Sequence, residues 1–207
     1  MKKTVRAALV ILALMLTFCA GCSQKSNIIN NADYFKDYLT GYDLNRPIRF
    51  EMVFADGTVV TGEMDYYNAP ITVGNFIKHC SDKYYDGLTI HRVNAGGLIQ
   101  GGCKNGDGTY REKNTIRGEF TSNGWNNKLQ HVRGTMSMAR WTDEPNSADA
   151  QFFIMCKNYY SYDGKYAAFA TITDGMGYIE SLSNVEADEN DKPLEPIVIQ
   201  TIRILGN

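Results

Sequence analysis

Apolar residues occupy every second position over Ile48–Phe54, which is the pattern of a β-strand with one buried face. Asp56-Gly57 follows and residues 58–64 supply a second strand, so this stretch predicts a β-hairpin. The long polar segment 103–127 is predicted to be mostly loop. Further short strands are expected over residues 89–93, 98–102, 118–120, 135–139, 151–155, 167–172 and 197–205.

A spacing of three and four residues between apolar positions predicts two helices. Such positions run from Val73 to Cys80 at i, i+3, i+4 and i+7, with Thr72 as the expected N-cap. Residues 175–184 carry apolar side chains at a spacing of three and predict the second helix. Because strands and helices do not alternate along the chain, the pattern favours a mainly β protein, an antiparallel barrel.

The composition is that of a folded protein with a single main domain. The chain has 207 residues, of which 43% are hydrophobic and 21% charged, with thirteen tyrosines and five prolines. These values argue for a β-rich body and against disorder, and the length allows a full core. We therefore divide the sequence into residues 1–21, 22–47 and 48–207.

Residues 1–21 have the composition of a bacterial lipoprotein signal peptide. Three basic residues precede the apolar run 7–18, which is too short to cross a bilayer comfortably. Small residues then precede Cys22, as in sequences where a signal peptidase cuts and the cysteine thiol receives a diacylglycerol. We expect a lipid anchor on Cys22 that holds the protein at the extracytoplasmic face of the cell membrane. An ordinary cleaved signal peptide is the alternative.

Residues 22–47 are predicted to form a tether followed by a short N-terminal helix. The polar stretch 23–31 is expected to be flexible. Aromatic residues recur at helical spacing over residues 33–42, with Asn31 as the expected cap. Asn45-Arg46-Pro47 then interrupts the pattern, so the folded domain is expected to begin near Ile48 and to extend over residues 48–207.

The charge of the chain argues against nucleic acid as a partner. The signal peptide carries three basic residues and no acidic ones, so 18 Lys and Arg remain against 23 Asp and Glu, a net charge of −5. No basic patch of the kind that binds phosphate backbones is evident. The acidic balance therefore favours a partner of another class.

The cysteines and histidines do not form a metal or disulfide pattern. Three cysteines follow Cys22 without C-x-x-C spacing; they allow at most one disulfide, and three unpaired, partly buried thiols are favoured. The three histidines lack metal-ligand spacing. Residues 105–108 lack the further ligands of a calcium or phosphate loop and are predicted to be a turn. The residues concerned are Cys80, Cys103, Cys156, His79, His91 and His131.

Eight short motifs follow one another between residues 69 and 169. They are Ala69-Pro70-x-Thr72-Val73-x-Asn75-Phe76, Tyr85-Asp86-Gly87-Leu88-x-x-His91-Arg92-Val93, Gln100-Gly101-Gly102, Gly118-Glu119-Phe120, His131-x-Arg133-Gly134-x-x-Ser137-Met138-Ala139-Arg140, Asp143-x-Pro145-Asn146-Ser147-Ala148, Gln151-Phe152-Phe153-Ile154 and Asp163-Gly164-Lys165-Tyr166-Ala167-Ala168-Phe169. Each motif alone is weak, but their order and spacing are specific. In them the chain resembles the cyclophilin family of peptidyl-prolyl cis/trans isomerases, in its exported bacterial form.

The resemblance implies a closed eight-stranded antiparallel β-barrel capped by two α-helices. It also implies an isomerase that acts on proline-containing polypeptides without a metal, a cofactor or a covalent intermediate. Arg92 matches the catalytic arginine of the family, and Gln100 matches the glutamine that helps to place the peptide. The remaining substrate-binding positions implied by the resemblance are His91, Leu98, Ala139, Arg140, Gln151, Phe153, Tyr162 and Tyr166.

An arginine suits this reaction for a chemical reason. When an X–Pro amide twists, its nitrogen gains a lone pair, so a donor aimed at that nitrogen binds the transition state better than the ground state. A guanidinium is always charged and presents its donors in a fixed fork. Catalysis in this way needs neither an acid nor a nucleophile.

The sequence departs from the family pattern at two positions in the groove. Asn94-Ala95-Gly96-Gly97 replaces the usual Ile-Pro-Gly-Phe, so the aromatic wall beside Leu98 is expected to be missing at Gly97. Ser161 stands where many eukaryotic members have a tryptophan that aids cyclosporin binding, which puts drug sensitivity in doubt.

Three functions are therefore considered. The first is a monomeric, membrane-anchored prolyl isomerase that assists the folding of exported proteins. The second, motivated by Gly97, is a module that binds proline peptides but turns over poorly. The third, a purely structural lipoprotein, is disfavoured by the intact polar groove. Retention of Arg92 and Gln100 favours the enzyme.

Overall fold

The computed structural model describes residues 27–207 of the chain. The predicted signal peptide and the predicted lipid site at Cys22 lie outside the described residues. The strands within that range are β1 (Asn27–Ile29), β2 (Ile48–Phe54), β3 (Val59–Met64), β4 (Thr89–Asn94), β5 (Leu98–Gly101), β6 (Asn114–Ile116), β7 (Thr135–Met138), β8 (Phe152–Met155), β9 (Ala168–Asp174) and β10 (Ile197–Gly206). The helices there are α1 (Lys36–Leu39), α2 (Pro70–Ser81) and α3 (Met176–Leu182).

Eight of these strands form a closed barrel in the order β10-β2-β3-β9-β7-β8-β5-β4. All neighbouring pairs are antiparallel, and β10 closes the barrel by pairing with β2 on one side and β4 on the other. This confirms the predicted fold class. Helices α2 and α3 were expected, and the one-turn helix α1, which packs against α2, lies within residues 33–42, where a short N-terminal helix was predicted.

The barrel is filled by large apolar side chains, and α2 contributes to that core. The ring centroid of Phe76, from α2, lies 5.8 Å from that of Phe50, 6.1 Å from Phe152 and 5.1 Å from Phe169. All four rings are fully buried, and burial of each contributes about 1.5–3 kcal/mol. The alternation in β2 has the predicted consequence, since its apolar positions face this core and Arg49 is exposed.

Helix α2 begins three residues before the position that the sequence suggested. Pro70 occupies its first turn, and Ala69 precedes it without a side-chain cap. The fully buried carboxylate of Glu119 accepts the N–H of Ile71 at 2.9 Å and that of Thr72 at 2.7 Å. The prediction of Thr72 as N-cap was therefore wrong. Pro70 has no N–H that needs an acceptor, and the next two N–H groups of the first turn donate to Glu119, a residue far away in the sequence.

The segment before the barrel is held on it at two places. Strand β1 pairs in parallel with β6, so residues 27–29 are not part of the flexible stretch that was expected. The strand expected at 118–120 is replaced by β6. A 3-10 helix over Ala32–Phe35 is capped by Asn31, as predicted, and the Phe35 side chain is fully buried in the core shared with α2.

Three further observations concern the chemistry of the described range. Its cysteines, Cys80, Cys103 and Cys156, are unpaired and buried. No helix within residues 27–207 is long and apolar enough to cross a bilayer. In the same range no three His, Cys, Asp or Glu side chains come together as a metal site would require.

Candidate active site

Antiparallel pairing sets four side chains in one row across four neighbouring strands. Arg92 of β4 is opposite Gln100 of β5, Gln100 is opposite Phe153 of β8, and Phe153 is opposite Ser137 of β7. Strand alternation turns Phe152 to the barrel core, where it contacts Phe76. The same alternation brings a cation, an amide and an aromatic ring to one face of the barrel.

A groove of about 610 Å³ lies over this row. Nine of the ten predicted site residues line it, and only Gln151 does not. Those nine are His91, Arg92, Leu98, Gln100, Ala139, Arg140, Phe153, Tyr162 and Tyr166. The structure therefore brings the predicted residues together in one place, while their individual roles stay predictions.

The apolar part of the groove is a small cluster separate from the barrel core. Leu98, Ala139, Phe153 and Met155 are buried there, and three tyrosines pack against them. Tyr162 and Tyr166 stand nearly perpendicular to the ring of Phe153, at centroid distances of 6.0 and 5.5 Å. This edge-to-face arrangement is favourable for aromatic pairs and fixes the orientation of the Phe153 ring. A pyrrolidine ring is the kind of small apolar group that such a surface accommodates.

Phe153 is supported from behind by His131, whose role the sequence did not reveal. The two rings are stacked at 6.0 Å with an interplanar angle of 20°. Nδ1 of His131 lies 2.9 Å from the Asp163 carboxylate, and Nε2 lies 3.1 Å from the Ser137 hydroxyl. Burial lowers the pKa of His131, and the Asp163 carboxylate opposes this shift. A carboxylate only accepts, so Nδ1 donates to Asp163. His131 thereby connects the loop that carries Asp163 with strand β7, which carries Ser137, beneath the groove.

Gln151 lies beneath the groove instead of lining it. Its Oε1 accepts from Nε2 of Gln100 at 3.2 Å, and its own Nε2 is within 3.2 Å of the carbonyls of Gly108 and Tyr110. The side chain is almost fully buried. Because the Gln100 NH₂ is directed to Gln151, its carbonyl oxygen remains to accept a peptide N–H. Gln151 thus orients the side chain of Gln100, whose role in binding is a prediction.

Arg92 is half exposed on the groove and forms an ion pair. Its Nε and Nη2 donate to Oδ2 of Asp191 at 3.2 and 3.0 Å, and its side chain is 46% exposed. Asp191 belongs to the loop between α3 and β10, which also brings Asp188, Asn190 and Lys192 to the groove. No sequence pattern pointed to this loop.

Arg140 and His91 have more restricted surroundings than Arg92. The Arg140 guanidinium donates to the carbonyls of Lys165, Trp141 and Thr142 at 2.7–2.9 Å. These bonds occupy much of its donor capacity and hold the rim of the groove together. Burial lowers the pKa of His91 to about 4, with nearby arginines acting in the same direction and Asp107 opposing it. His91 is therefore neutral at pH 7.

The place that an aromatic residue at position 97 would fill is not empty. A Cβ on Gly97 would clash with the side chain of Asn94 and come within 3.2 Å of the Tyr159 hydroxyl. Tyr159 stacks on Tyr162 at 5.3 Å and 23°. Tyr159, from the segment after β8, also packs against the cluster of Leu98, Ala139, Phe153 and Met155, but it is not among the residues that line the groove.

Several groove residues were not anticipated from the sequence. They lie in three loops, between β5 and β6, between β7 and β8, and between α3 and β10, where no local sequence pattern pointed to the site. Arg111 lies over the ring of Trp141 at 4.2 Å, which places a cation and an indole at one end of the groove. The additional lining residues are Asp107, Gly108, Thr109, Arg111, Trp141, Thr142, Asp188, Asn190 and Lys192.

The sequence model of the family described as cyclophilin type peptidyl-prolyl cis-trans isomerase/CLD matches residues 49–204. The chain belongs to the cyclophilin family. The matched range holds the barrel of this cyclophilin apart from the first residue of β2 and the last two of β10.

Named relatives agree with this family. Peptidyl-prolyl cis-trans isomerase B of Escherichia coli is 34% identical over 149 residues, which cover 66% of this cyclophilin and 87% of that protein. Peptidyl-prolyl cis-trans isomerase A of Dickeya dadantii is 34% identical over 151 residues, 69% of this chain and 77% of that one. These relatives place the chain among the cyclophilin-type peptidyl-prolyl cis-trans isomerases. The match to isomerase cyp15 of Rhizopus delemar, 38% identical, covers only 21% of that protein.

Solved structures show the same fold. The crystal structure of a Cryptosporidium parvum cyclophilin type isomerase has a TM-score of 0.71 and 26% identity, and covers 78% of this cyclophilin and 99% of that chain. A second structure of that protein, in the presence of the dipeptide Ala-Pro, has a TM-score of 0.70 and 27% identity. It covers 77% of this cyclophilin and 99% of that chain.

Proposed function

We propose that this cyclophilin accelerates rotation about X–Pro bonds in proteins exported across the membrane on which it is anchored. The observation that carries the catalytic part is the row of Arg92, Gln100 and Phe153 under one open groove. The cellular part is supported by the signal-like residues 1–21 and by Cys22 after small residues. The substrates would be polypeptides, and we expect the protein to act as a monomer without nucleic acid, metal or cofactor.

The groove offers what the reaction needs. An X–Pro bond rotates over a barrier of about 18–20 kcal/mol because amide resonance resists twisting. The prolyl ring would rest on Phe153 and Leu98, and the Gln100 carbonyl oxygen would bind the peptide backbone. Arg92 would donate to the nitrogen as it becomes pyramidal, a contact that is stronger in the twisted state. A structural relative was crystallised in the presence of Ala-Pro, which supports a prolyl residue as the bound group.

The test is a protease-coupled isomerisation assay on a short X-Pro peptide. Arg92→Ala should lose about 100- to 1000-fold in kcat/KM, the loss found when a preorganised transition-state donor is removed. Arg203→Ala is the matched control, because Arg203 is an exposed arginine of β10 that pairs with Glu51 of β2 and does not line the groove. Equal activity of wild type and Arg92→Ala, with unchanged circular dichroism, would remove Arg92 from catalysis. No acceleration by the wild type would favour the peptide-binding module instead.

The membrane part has a separate test. Cys22→Ser should release the protein from the membrane fraction into the soluble extracytoplasmic fraction, because a lipid cannot be attached to the serine. Labelling with a radioactive fatty acid should mark the wild type and leave Cys22→Ser unmarked. A protein that stays membrane-bound after the substitution would refute the lipid anchor without affecting the isomerase proposal.

A further inference from the structure

The loop between α3 and β10 is built to present Asp191 to Arg92. Asp188 Oδ1 accepts the N–H groups of Asn190 and Lys192 at 2.8 and 3.0 Å. The backbone of Asp188 donates to the Lys192 carbonyl at 2.8 Å, and Asp191 donates to the Asp188 carbonyl at 3.1 Å. Asp191 itself has a positive φ of 63°, a conformation that Asp and Asn tolerate better than most residues. The turn is therefore closed by its own hydrogen bonds.

The turn is also fixed to the strand that carries Arg92. The backbone N–H of Val93, the next residue of β4, donates to the Asp191 carbonyl at 2.8 Å. The Asp191 carboxylate then receives Nε and Nη2 of Arg92. The backbone and the side chain of Asp191 are thus both joined to β4, in addition to the hydrogen bonds within the loop.

Stability does not explain the pair. The side chains of Arg92 and Asp191 are 46% and 42% exposed, and exposed ion pairs of this kind add little to the free energy of unfolding. A guanidinium has five N–H donors, and two of those in Arg92 are engaged by Asp191. The other three N–H groups, two on Nη1 and one on Nη2, have no partner among the described contacts. They lie on the edge of the guanidinium that includes Nη1 and could donate to a ligand.

We infer that Asp191 is a positioning residue for the isomerase reaction, which rests on the function proposed for Arg92. By holding Nε and one N–H of Nη2, the carboxylate restricts a flexible side chain to one orientation and leaves the Nη1 edge for the twisting amide. Orientation before binding lowers the entropy lost in the transition state. The same carboxylate also reduces the net positive charge near the amide. Loss of Asp191 lowers the activity if its effect on the orientation of Arg92 is the larger one. Loss of Asp191 raises the activity if its effect on the net positive charge near the amide is the larger one.

The experiment compares Asp191→Asn and Asp191→Gly with the wild type. Both residues tolerate positive φ, so the turn is kept while the charge, or the whole side chain, is removed. We expect kcat/KM to fall about tenfold in Asp191→Gly and less in Asp191→Asn, with kcat changed more than KM. Glu51→Gln, which removes the partner of Arg203 away from the groove, is the control and should keep wild-type activity.

A double substitution separates positioning from a structural role. In an Arg92→Ala background, Asp191→Gly should cause no further loss, because the carboxylate acts only through the guanidinium. A further tenfold loss there, or a rise in activity of either single variant, would overturn the inference.

Nuclear magnetic resonance gives a readout that does not depend on turnover. The Nε–H signal of Arg92 should be protected from exchange in the wild type and lose that protection in Asp191→Gly. An inactive wild type that still shows this difference would refute the proposed function and leave the pairing intact. Equal protection in the two proteins would refute the positioning role whatever the activity.

Discussion

The side-chain amide of Gln100 donates to Oε1 of Gln151 at 3.2 Å, which joins a residue of the groove to one that lies beneath it. Gln151 is in turn fixed by the carbonyls of Gly108 and Tyr110. The orientation of the Gln100 amide is therefore set, through Gln151, by the loop between β5 and β6. The side-chain carbonyl oxygen of Gln100 is not used in the bond to Gln151 and is therefore oriented before a peptide binds.

Gln151→Leu should lower kcat/KM about 3- to 10-fold, because one hydrogen bond that orients Gln100 is lost. It should also lower the free energy of unfolding by about 1–3 kcal/mol, since two carbonyls lose their donor in a buried place. The coupled assay and urea unfolding measure the two effects. Gln200→Leu, at an exposed position of β10, is the control. An unchanged kcat/KM in Gln151→Leu would exclude the orienting role.

Glu119→Ala should affect stability without affecting catalysis. The N–H groups of Ile71 and Thr72 would lose their acceptor at the start of α2, and we expect the free energy of unfolding to fall by about 2–4 kcal/mol. Glu119→Gln keeps one acceptor oxygen and should cost less. Urea unfolding gives the stability, and kcat/KM per folded molecule should equal that of the wild type. Equal stability of the Ala and Gln variants would contradict the capping role.

Stability should decrease as the pH falls below 6.5. Burial lowers the pKa of His79 and of His91 from 6.5 to about 4. Between these pH values the unfolded chain therefore binds two protons that the folded protein does not bind. Burial raises the pKa of Glu119 to about 7, so there the folded protein holds one proton that the unfolded chain releases above pH 4.5. The unfolded chain thus gains a net of about one proton over the folded protein, which lowers the free energy of unfolding by roughly 1 kcal/mol per pH unit between pH 6 and 5.

Urea unfolding at pH 6.5, 6.0, 5.5 and 5.0 measures this slope, and His131, whose pKa burial also lowers, steepens it. His91→Gln removes one of the titrating groups and should make the slope shallower. The same slope in the variant and the wild type would show that His91 is not protected from protonation in the folded protein.

Gly97→Ala should lower the free energy of unfolding by about 1–3 kcal/mol, because the added methyl group overlaps Asn94. Asn94→Gly removes the obstruction, so in that background Gly97→Ala should cost much less. Thermal unfolding of the two single variants and the double variant gives the coupling energy. Additive effects would mean that Asn94 moves aside freely and that the position tolerates a side chain.

The sequence predicted the barrel well because its strands carry their own patterns. The alternation over Ile48–Phe54 indicated which side chains face the core, and the structure has them there. The groove residues followed from the resemblance, and antiparallel pairing explains why Arg92 and Gln100, which are distant from Phe153 in the chain, share one row.

Other features have no local pattern to reveal them. Strand β1 has three residues and a partner far along the chain, so neither periodicity nor turn signals could indicate the pairing with β6. Residues 186–192 resemble a solvated acidic turn, and only the pairing of β10 with β4 brings Asp191 beside Arg92. The start of α2 depends in the same way on Glu119, a residue far outside the helix.

Attachment of β1 to β6 limits how far the catalytic body can stand from a lipid bilayer. With an acyl group on Cys22, as proposed, only five peptide units separate the lipid from Asn27, a span of at most about 18 Å. The enzyme would then work close to the headgroups, and the groove would reach only polypeptides that lie near the membrane surface. The tether would in this way determine which polypeptides the enzyme meets by their distance from the membrane, whatever their sequence.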